Sequence, residues 1–202
     1  MSQDSVDTRY FDELFQANED PWSFRQRWYE QRKRALTLAA LPRERYRSIY
    51  EPGCANGELS AELATRCDNL LCSDTATAAV ALAKQRLQDV PHAEVRLGRL
   101  PADWPAQRFD MVVISELGYY LDRTDWLSLI DQARQSLTED GQLLACHWRP
   151  AIDGCPQTAQ QVHDLLNEHL NCPRLLHYQD ADLMLDLWSC DPRSVATLEG
   201  LR

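Results

Sequence analysis

The chain has 202 residues, 44% hydrophobic and 26% charged, which suits one globular domain and excludes a disordered or fibrous polypeptide. No apolar run approaches the roughly 20 residues needed to span a bilayer, and Met1-Ser2-Gln3-Asp4 lacks the basic and apolar segments of a secretory leader. The net charge of −10 is uneven, with nine Lys/Arg and eight Asp/Glu in residues 1–50 against twelve and twenty-three in residues 51–202. An acidic body argues against a nucleic-acid partner; it is compatible with a cationic cofactor or an amine acceptor, although solubility alone also accounts for it.

In chain order, residues 6–18 and 24–41 are expected to be helical, the second ending at Leu41-Pro42. Short apolar runs and helical segments then alternate. Strands are expected at Arg47–Tyr50, Asn69–Ser73, Ala93–Leu97, Phe109–Ser115 and Gln142–Trp148. Helices are expected at Glu58–Cys67, Ala76–Leu87 and Thr124–Leu137, the last capped by Asp122 or Thr124. Phe-Asp-Met-Val-Val-Ile-Ser at 109–115 is apolar after its aspartate, the mark of a strand buried on both faces of a parallel sheet. Glu139-Asp140-Gly141 is read as a turn. After a helix near Ala159–Leu170, strands at Leu175–Gln179 and Asp182–Ser189 are so close that they must pair antiparallel. The expected fold is α/β, a Rossmann-like seven-stranded sheet, mostly parallel, with a C-terminal antiparallel hairpin and helices on both faces. Residues 1–202 form a single domain in this reading, with 1–45 as an N-terminal helical cap and 46–202 as the core.

The seven cysteines are odd in number and include no Cys-x-x-Cys pair. Neither a metal site nor a disulfide framework is expected, and a reducing cytoplasm is the expected location.

Open α/β sheets bind ligands beyond the carboxyl ends of their strands. Several such ends carry informative residues. Glu51-Pro52-Gly53-Cys54-Ala55-Asn56-Gly57 places glycines at 53 and 57, where the backbone can turn and approach a ligand. A dinucleotide Gly-x-Gly-x-x-Gly would need glycines at 55 and 58, where Ala55 and Glu58 stand. Asp74 follows Leu70–Ser73 and can accept hydrogen bonds from two ribose hydroxyls, with Thr75 beside it; capping the next helix is the competing role. Arg99 and Leu100 follow the third strand. Glu116, Tyr119 and Tyr120 follow the fourth, where a carboxylate faces the reacting centre. His147 ends the fifth strand and is a candidate base or acceptor-orienting group, although a lone histidine is more often structural.

The turn at 51–57 resembles the acidic-x-Gly-x-Gly-x-Gly loop of class I methyltransferases, with Ala55 in place of the middle glycine. The chain more narrowly resembles the nodulation protein S-like family of methyltransferases. The residues that carry this are Tyr10-Phe11, Asp20-Pro21-Trp22, Trp28-Tyr29-Glu30, Leu36-Thr37-Leu38, Glu51-Pro52-Gly53-Cys54, Ser115-Glu116-Leu117-Gly118-Tyr119-Tyr120-Leu121 and His147-Trp148-Arg149. The resemblance implies an S-adenosylmethionine-dependent methyltransferase whose product is S-adenosylhomocysteine. Implied cofactor contacts are Trp22, Tyr29, Glu51, Gly53, Ala55, Gly57, Asp74, Thr75, Arg99, Leu100 and Glu116. Lys33 or a nearby arginine would meet the cofactor carboxylate. Glu116 is first choice for orienting or deprotonating the acceptor, with Tyr119 and His147 next. The implied acceptor is a small molecule or saccharide, an aminosugar or oligosaccharide among them, with nitrogen ahead of oxygen. Neither nucleic acid nor membrane is an expected partner, and the chain is expected as a monomer or homodimer. The competing readings are a non-catalytic S-adenosylmethionine-binding partner or regulator and a nicotinamide oxidoreductase.

Overall fold

The architecture follows from where the apolar residues sit. The computed structural model describes residues 4–202; residues 1–3, the start of the segment read as lacking a leader, lie outside it. Helices α1 (Thr8–Ala17) and α2 (Trp28–Ala40) precede the sheet. Strand β1 (Ile49–Pro52), α3 (Glu58–Ala64), β2 (Leu70–Asp74), α4 (Thr77–Arg86), β3 (Ala93–Leu97) and β4 (Phe109–Ser115) follow. The chain continues through α5 (Arg123–Ser136), β5 (Leu137–Trp148), α6 (Ala159–His169), β6 (Arg174–Gln179), β7 (Leu183–Ser189) and α7 (Val195–Leu198). The seven strands lie in the order β3-β2-β1-β4-β5-β7-β6. The five strands from β3 to β5 are parallel, while β7 pairs antiparallel with both β5 and β6. This is the sheet expected from the sequence, hairpin included.

Strand β4 shows why the sheet needs helices on both faces. Its side chains alternate, so Met111 and Val113 join one core with Leu63, Val80 and Ala83, while Val112 and Ile114 join the other with Trp126, Leu129 and Leu166. Among the described residues no helix is long and apolar enough to cross a membrane.

Three local expectations are corrected. The helix expected from residue 24 begins at Trp28. Asp20 accepts the Phe24 and Arg25 N–H groups at 2.7 and 3.2 Å, and Ser23 is left-handed with φ 58°, so the chain turns before it can coil. The helix expected over Glu58–Cys67 ends at Ala64. The turn expected at Glu139-Asp140-Gly141 is absorbed into β5, which advances from Leu137 to Gln142 while its partner advances only from Phe109 to Met111. Of the two caps considered for α5, Asp122 serves, its Oδ1 accepting the N–H groups of Thr124 and Asp125 at 2.7 and 2.9 Å.

The N-terminal helices are tied to the carboxyl edge of the sheet. Thr77 N–H at the start of α4 donates to Asp12 of α1 at 2.7 Å. The Asn56 amide in the glycine turn donates to Asp20 Oδ1 and to the Glu19 carbonyl at 3.3 and 3.2 Å. Asp20-Pro21-Trp22 therefore latches the helical segment onto the β1–α3 turn.

Candidate active site

The space between α1, α2 and the strand ends is a cavity of about 810 Å³. Trp22, Tyr29, Glu51, Gly53, Ala55, Asp74, Thr75, Arg99, Leu100, Glu116 and Tyr119 all line it. The structure thus brings together residues spread over almost a hundred positions. Gly57 and His147 are not among the lining residues.

Gly57 has a backbone reason instead. It starts α3 at φ +81°, and a Cβ there would meet the Ala83 Cα at 3.1 Å. Gly53 (φ +74°) and Ala55 (φ +51°) are also left-handed, so Ala55 holds a conformation that favours glycine.

The Asp74 carboxylate, at the end of β2, is buried and accepts the Ala55 N–H on Oδ2 and the Ala76 N–H on Oδ1, each at 2.9 Å. Burial raises its pKa, while those backbone donors pull the other way. Each carboxylate oxygen has a second acceptor site, so Asp74 both braces the turns and keeps capacity toward the cavity. Trp22 packs edge-on against Phe15 at 5.7 Å. Leu100 is half-buried and Arg99 exposed, its backbone N–H donating to Asp103 at 2.8 Å.

Glu51 is buried at the end of β1, where Ser60 Oγ donates to its Oε2 at 2.5 Å. Burial pushes its pKa up to about 8. A raised carboxyl pKa means that the folded chain binds a proton the unfolded chain has lost. Stability then falls as pH rises from the ordinary carboxyl range through about 8. In urea titrations at pH 5 and 9, Glu51→Gln is expected to remove on the order of 3 kcal/mol of that decline. Parallel declines in both proteins would show that Glu51 is ionised throughout.

The densest polar cluster lies beyond β4. Glu116 holds a left-handed backbone, φ +57°, a strained conformation of the kind found at functional sites. Its Oε1 accepts from Lys33 Nζ at 2.8 Å. Its Oε2 accepts from the Trp148 N–H at 2.9 Å and from the Tyr119 hydroxyl. Lys33 also pairs with Glu30 at 2.9 Å and stands 5.5 Å from the centre of the Tyr29 ring. Burial works against the Lys33 charge, but Glu116 and Glu30 outweigh it and raise its pKa. Lys33 is therefore engaged with two carboxylates. Burial pushes the Tyr119 hydroxyl well above its ordinary pKa.

His147 sits behind this cluster, fully buried. The Gly118 N–H donates to its Nε2 at 3.0 Å. That donor leaves the proton on Nδ1, which therefore donates to His163 Nε2 at 2.9 Å. His163 Nδ1 in turn donates to Asp186 Oδ2 at 2.6 Å, and Asp186 Oδ1 accepts from His177 Nδ1 at 2.7 Å. Burial lowers the His147 pKa well below 6.5. The ring thus anchors the turn that carries Glu116 and Tyr119. Gly118 must be glycine there, since a Cβ would stand 2.5 Å from Val162 Cγ1.

Glu30 and Asn56 stand inside the motifs without a role of their own, and His163 and Asp186 carry no sequence signal. Asn56 Oδ1, Tyr29 Oη and Thr37 Oγ1 are buried without a hydrogen-bond partner, and all three residues line the cavity. Unpaired buried polar atoms are costly, so their presence in one cavity marks it as built for a polar ligand.

A family model described as Nodulation protein S (NodS) matches residues 3–178. Nodulation protein S of Sinorhizobium fredii is 30% identical over 107 residues, which are 52% of this chain and 50% of that one. The matched chain spans about half the length of that relative. A solved structure from Pseudomonas syringae, provisionally described as a methyltransferase, is 62% identical with a TM-score of 0.74, covering 81% of this chain and 99% of that one. The N-methyltransferase NodS of Bradyrhizobium japonicum, solved in complex with S-adenosylhomocysteine, is 25% identical with a TM-score of 0.80, covering 92% of this chain and 98% of that one. With most of its length matched by that family model, and with the same fold as a solved member, the chain belongs to the nodulation protein S (NodS) family.

Proposed function

We propose that the chain is an S-adenosylmethionine-dependent N-methyltransferase acting on an amine of a small molecule or saccharide. In this reading residues 1–45 close the cleft of a core formed by residues 46–202. The observation that carries it is the Glu116 cluster at the floor of a cavity lined by Asp74 and by unpaired buried polar atoms. The cofactor and the nitrogen acceptor are carried over from the family relative.

The residues present fit S-adenosylmethionine. Asp74 and Thr75 would take the ribose hydroxyls. Gly53 and Ala55 offer close backbone approach, while Arg99 and Leu100 would border the base and Glu51 would face the amino-acid end. Trp22 and Tyr29 present aromatic faces, which suit a cation. When bound, the cofactor supplies a methyl group already activated on a sulfonium, so the protein contributes mainly positioning and exclusion of water.

Glu116 orients the acceptor. With Oε2 taken by Trp148 and Tyr119, and Lys33 on one side of Oε1, one acceptor position remains on Oε1 for an amine N–H. A hydrogen bond there aims the nitrogen lone pair away from the carboxylate. Tyr119 fixes the carboxylate plane from below. His147 acts through Gly118 as a positioning residue, because its Nε2 lone pair already holds that N–H.

Incubation with S-adenosylmethionine and a panel of amines that includes glucosamine oligomers should yield S-adenosylhomocysteine and a singly methylated amine, read by mass spectrometry. Glu116→Gln should lower kcat on that acceptor by roughly 100-fold or more while S-adenosylhomocysteine affinity stays within about threefold. Normal turnover in the variant would remove Glu116 from the assignment. Tight S-adenosylhomocysteine binding with no acceptor turned over would favour a non-catalytic binding protein.

A further inference from the structure

We propose that Cys172 and Cys190 form a reversible redox site, a dithiol that a small-molecule disulfide converts into an intramolecular bridge. The register of the terminal hairpin brings the two segments side by side. Arg174 lies opposite Trp188. One step outward, Ser189 N–H donates to the Pro173 carbonyl at 3.0 Å. Cys172 and Cys190 follow immediately outside these last paired residues, where the chain leaves both strands. The two Sγ atoms are in contact at 2.7 Å.

Access and chemistry separate this pair from the other five cysteines. Cys54, Cys67, Cys72 and Cys146 are buried, whereas Cys172 and Cys190 are both half-buried at the edge of the hairpin. Cys155 is also half-buried, but burial raises its thiol pKa. Either thiol can be the donor in their hydrogen bond; with Cys172 protonated that bond brings the Cys190 pKa down to about 7, which favours the nucleophilic thiolate there.

The exchange balances without any group from the protein beyond these two. The Cys190 thiolate attacks one sulfur of the small disulfide, forming a mixed disulfide and expelling one thiolate. Cys172 then loses its proton to solvent and attacks the Cys190 sulfur, so the protein S–S bond forms and the second thiolate leaves. Two protein thiols are oxidised by two electrons in total, and one small disulfide is reduced to two thiols. The bridge would join the segment after α6 to the end of β7, where Cys190 N–H also donates to the Gly141 carbonyl at 2.9 Å. Neither cysteine lines the cavity.

The test incubates the full chain with oxidised glutathione, then counts free thiols and maps linked peptides by mass spectrometry. The expected result is two thiols lost from the seven in the chain, a mass lower by two hydrogens, and a single cross-link joining the peptides that contain Cys172 and Cys190. Dithiothreitol should restore all the thiols. The oxidised protein should melt roughly 5–10 °C higher than the reduced one, with S-adenosylhomocysteine affinity unchanged. Cys172→Ser and Cys190→Ser should each abolish the cross-link and leave one glutathione on the surviving partner. A thiol count that stays at seven, a cross-link between Cys54 and Cys72, or glutathione retained on wild-type Cys190 would each overturn the proposal.

Discussion

Replacing Asp74 with alanine is expected to weaken S-adenosylhomocysteine binding by roughly 100-fold or more. Two hydrogen bonds to a charged acceptor, at about 1.5–3 kcal/mol each, set that scale. The carboxylate also holds the Ala55 and Ala76 N–H groups, so the glycine turn and the start of α4 lose their common brace. Asp74→Asn separates the two effects. It keeps a single amide oxygen and should retain more thermal stability than Asp74→Ala while still binding the ligand more weakly than wild type. Calorimetry on both variants reads this directly. Wild-type affinity in Asp74→Ala would place the ribose elsewhere in the cavity.

Lys33→Met is expected to be the most damaging single change to stability. The ammonium lies between Glu30 at 2.9 Å and Glu116 at 2.8 Å and is almost fully shielded from solvent. Removing one member of a buried ion cluster leaves its partners uncompensated, which costs about 3–5 kcal/mol. For a chain of this size that lowers Tm by roughly 6–20 °C. The sign with pH follows. Burial already raises the Glu30 carboxyl pKa and Lys33 opposes that rise, so without Lys33 the folded state holds the Glu30 proton more tightly still. The variant should therefore lose stability, relative to wild type, as pH rises through the carboxyl range and above it. Adding Glu30→Gln should recover part of the loss, and thermal melts at pH 5 and 8 would show both effects. A pH-independent difference between Lys33→Met and wild type would mean that the side chain contributes packing alone.

The fold was legible because its signals are local. The apolar run of β4, the strand–helix alternation and the closely spaced β6 and β7 each leave a pattern within a few residues. The glycine turn, Asp74 and Glu116 were legible for a related reason, since strand ends converge on one edge of any such sheet. Contacts across the chain left no comparable mark. Lys33 reads as a basic residue on a helix, and nothing nearby indicates the Glu116 carboxylate 83 positions away. Its two side-chain partners, Glu30 and Glu116, meet it only in the folded chain. Asp20 entered only as part of the Asp20-Pro21-Trp22 block, and its bond to Asn56 needs the folded sheet. The start of α2 was misplaced because turn chemistry at Asp20 and Ser23 overrides helix propensity over the next residues. The 139–141 segment has turn residues, yet β5 runs through it, and the Cys190 N–H just past β7 donates to the Gly141 carbonyl.

The run of rings behind Glu116 has the outline of a proton wire, and its polarity forbids that use. A wire needs an end that can take up a proton and an end that can release one. Here one terminus is the amide of Gly118, which only donates, and each imidazole downstream is fixed in a single tautomer as far as the Asp186 carboxylate. Moving a proton along it would require His147 to give up its grip on the backbone. The chain acts as a ratchet pawl for the Gly118 turn: it transmits position and no charge.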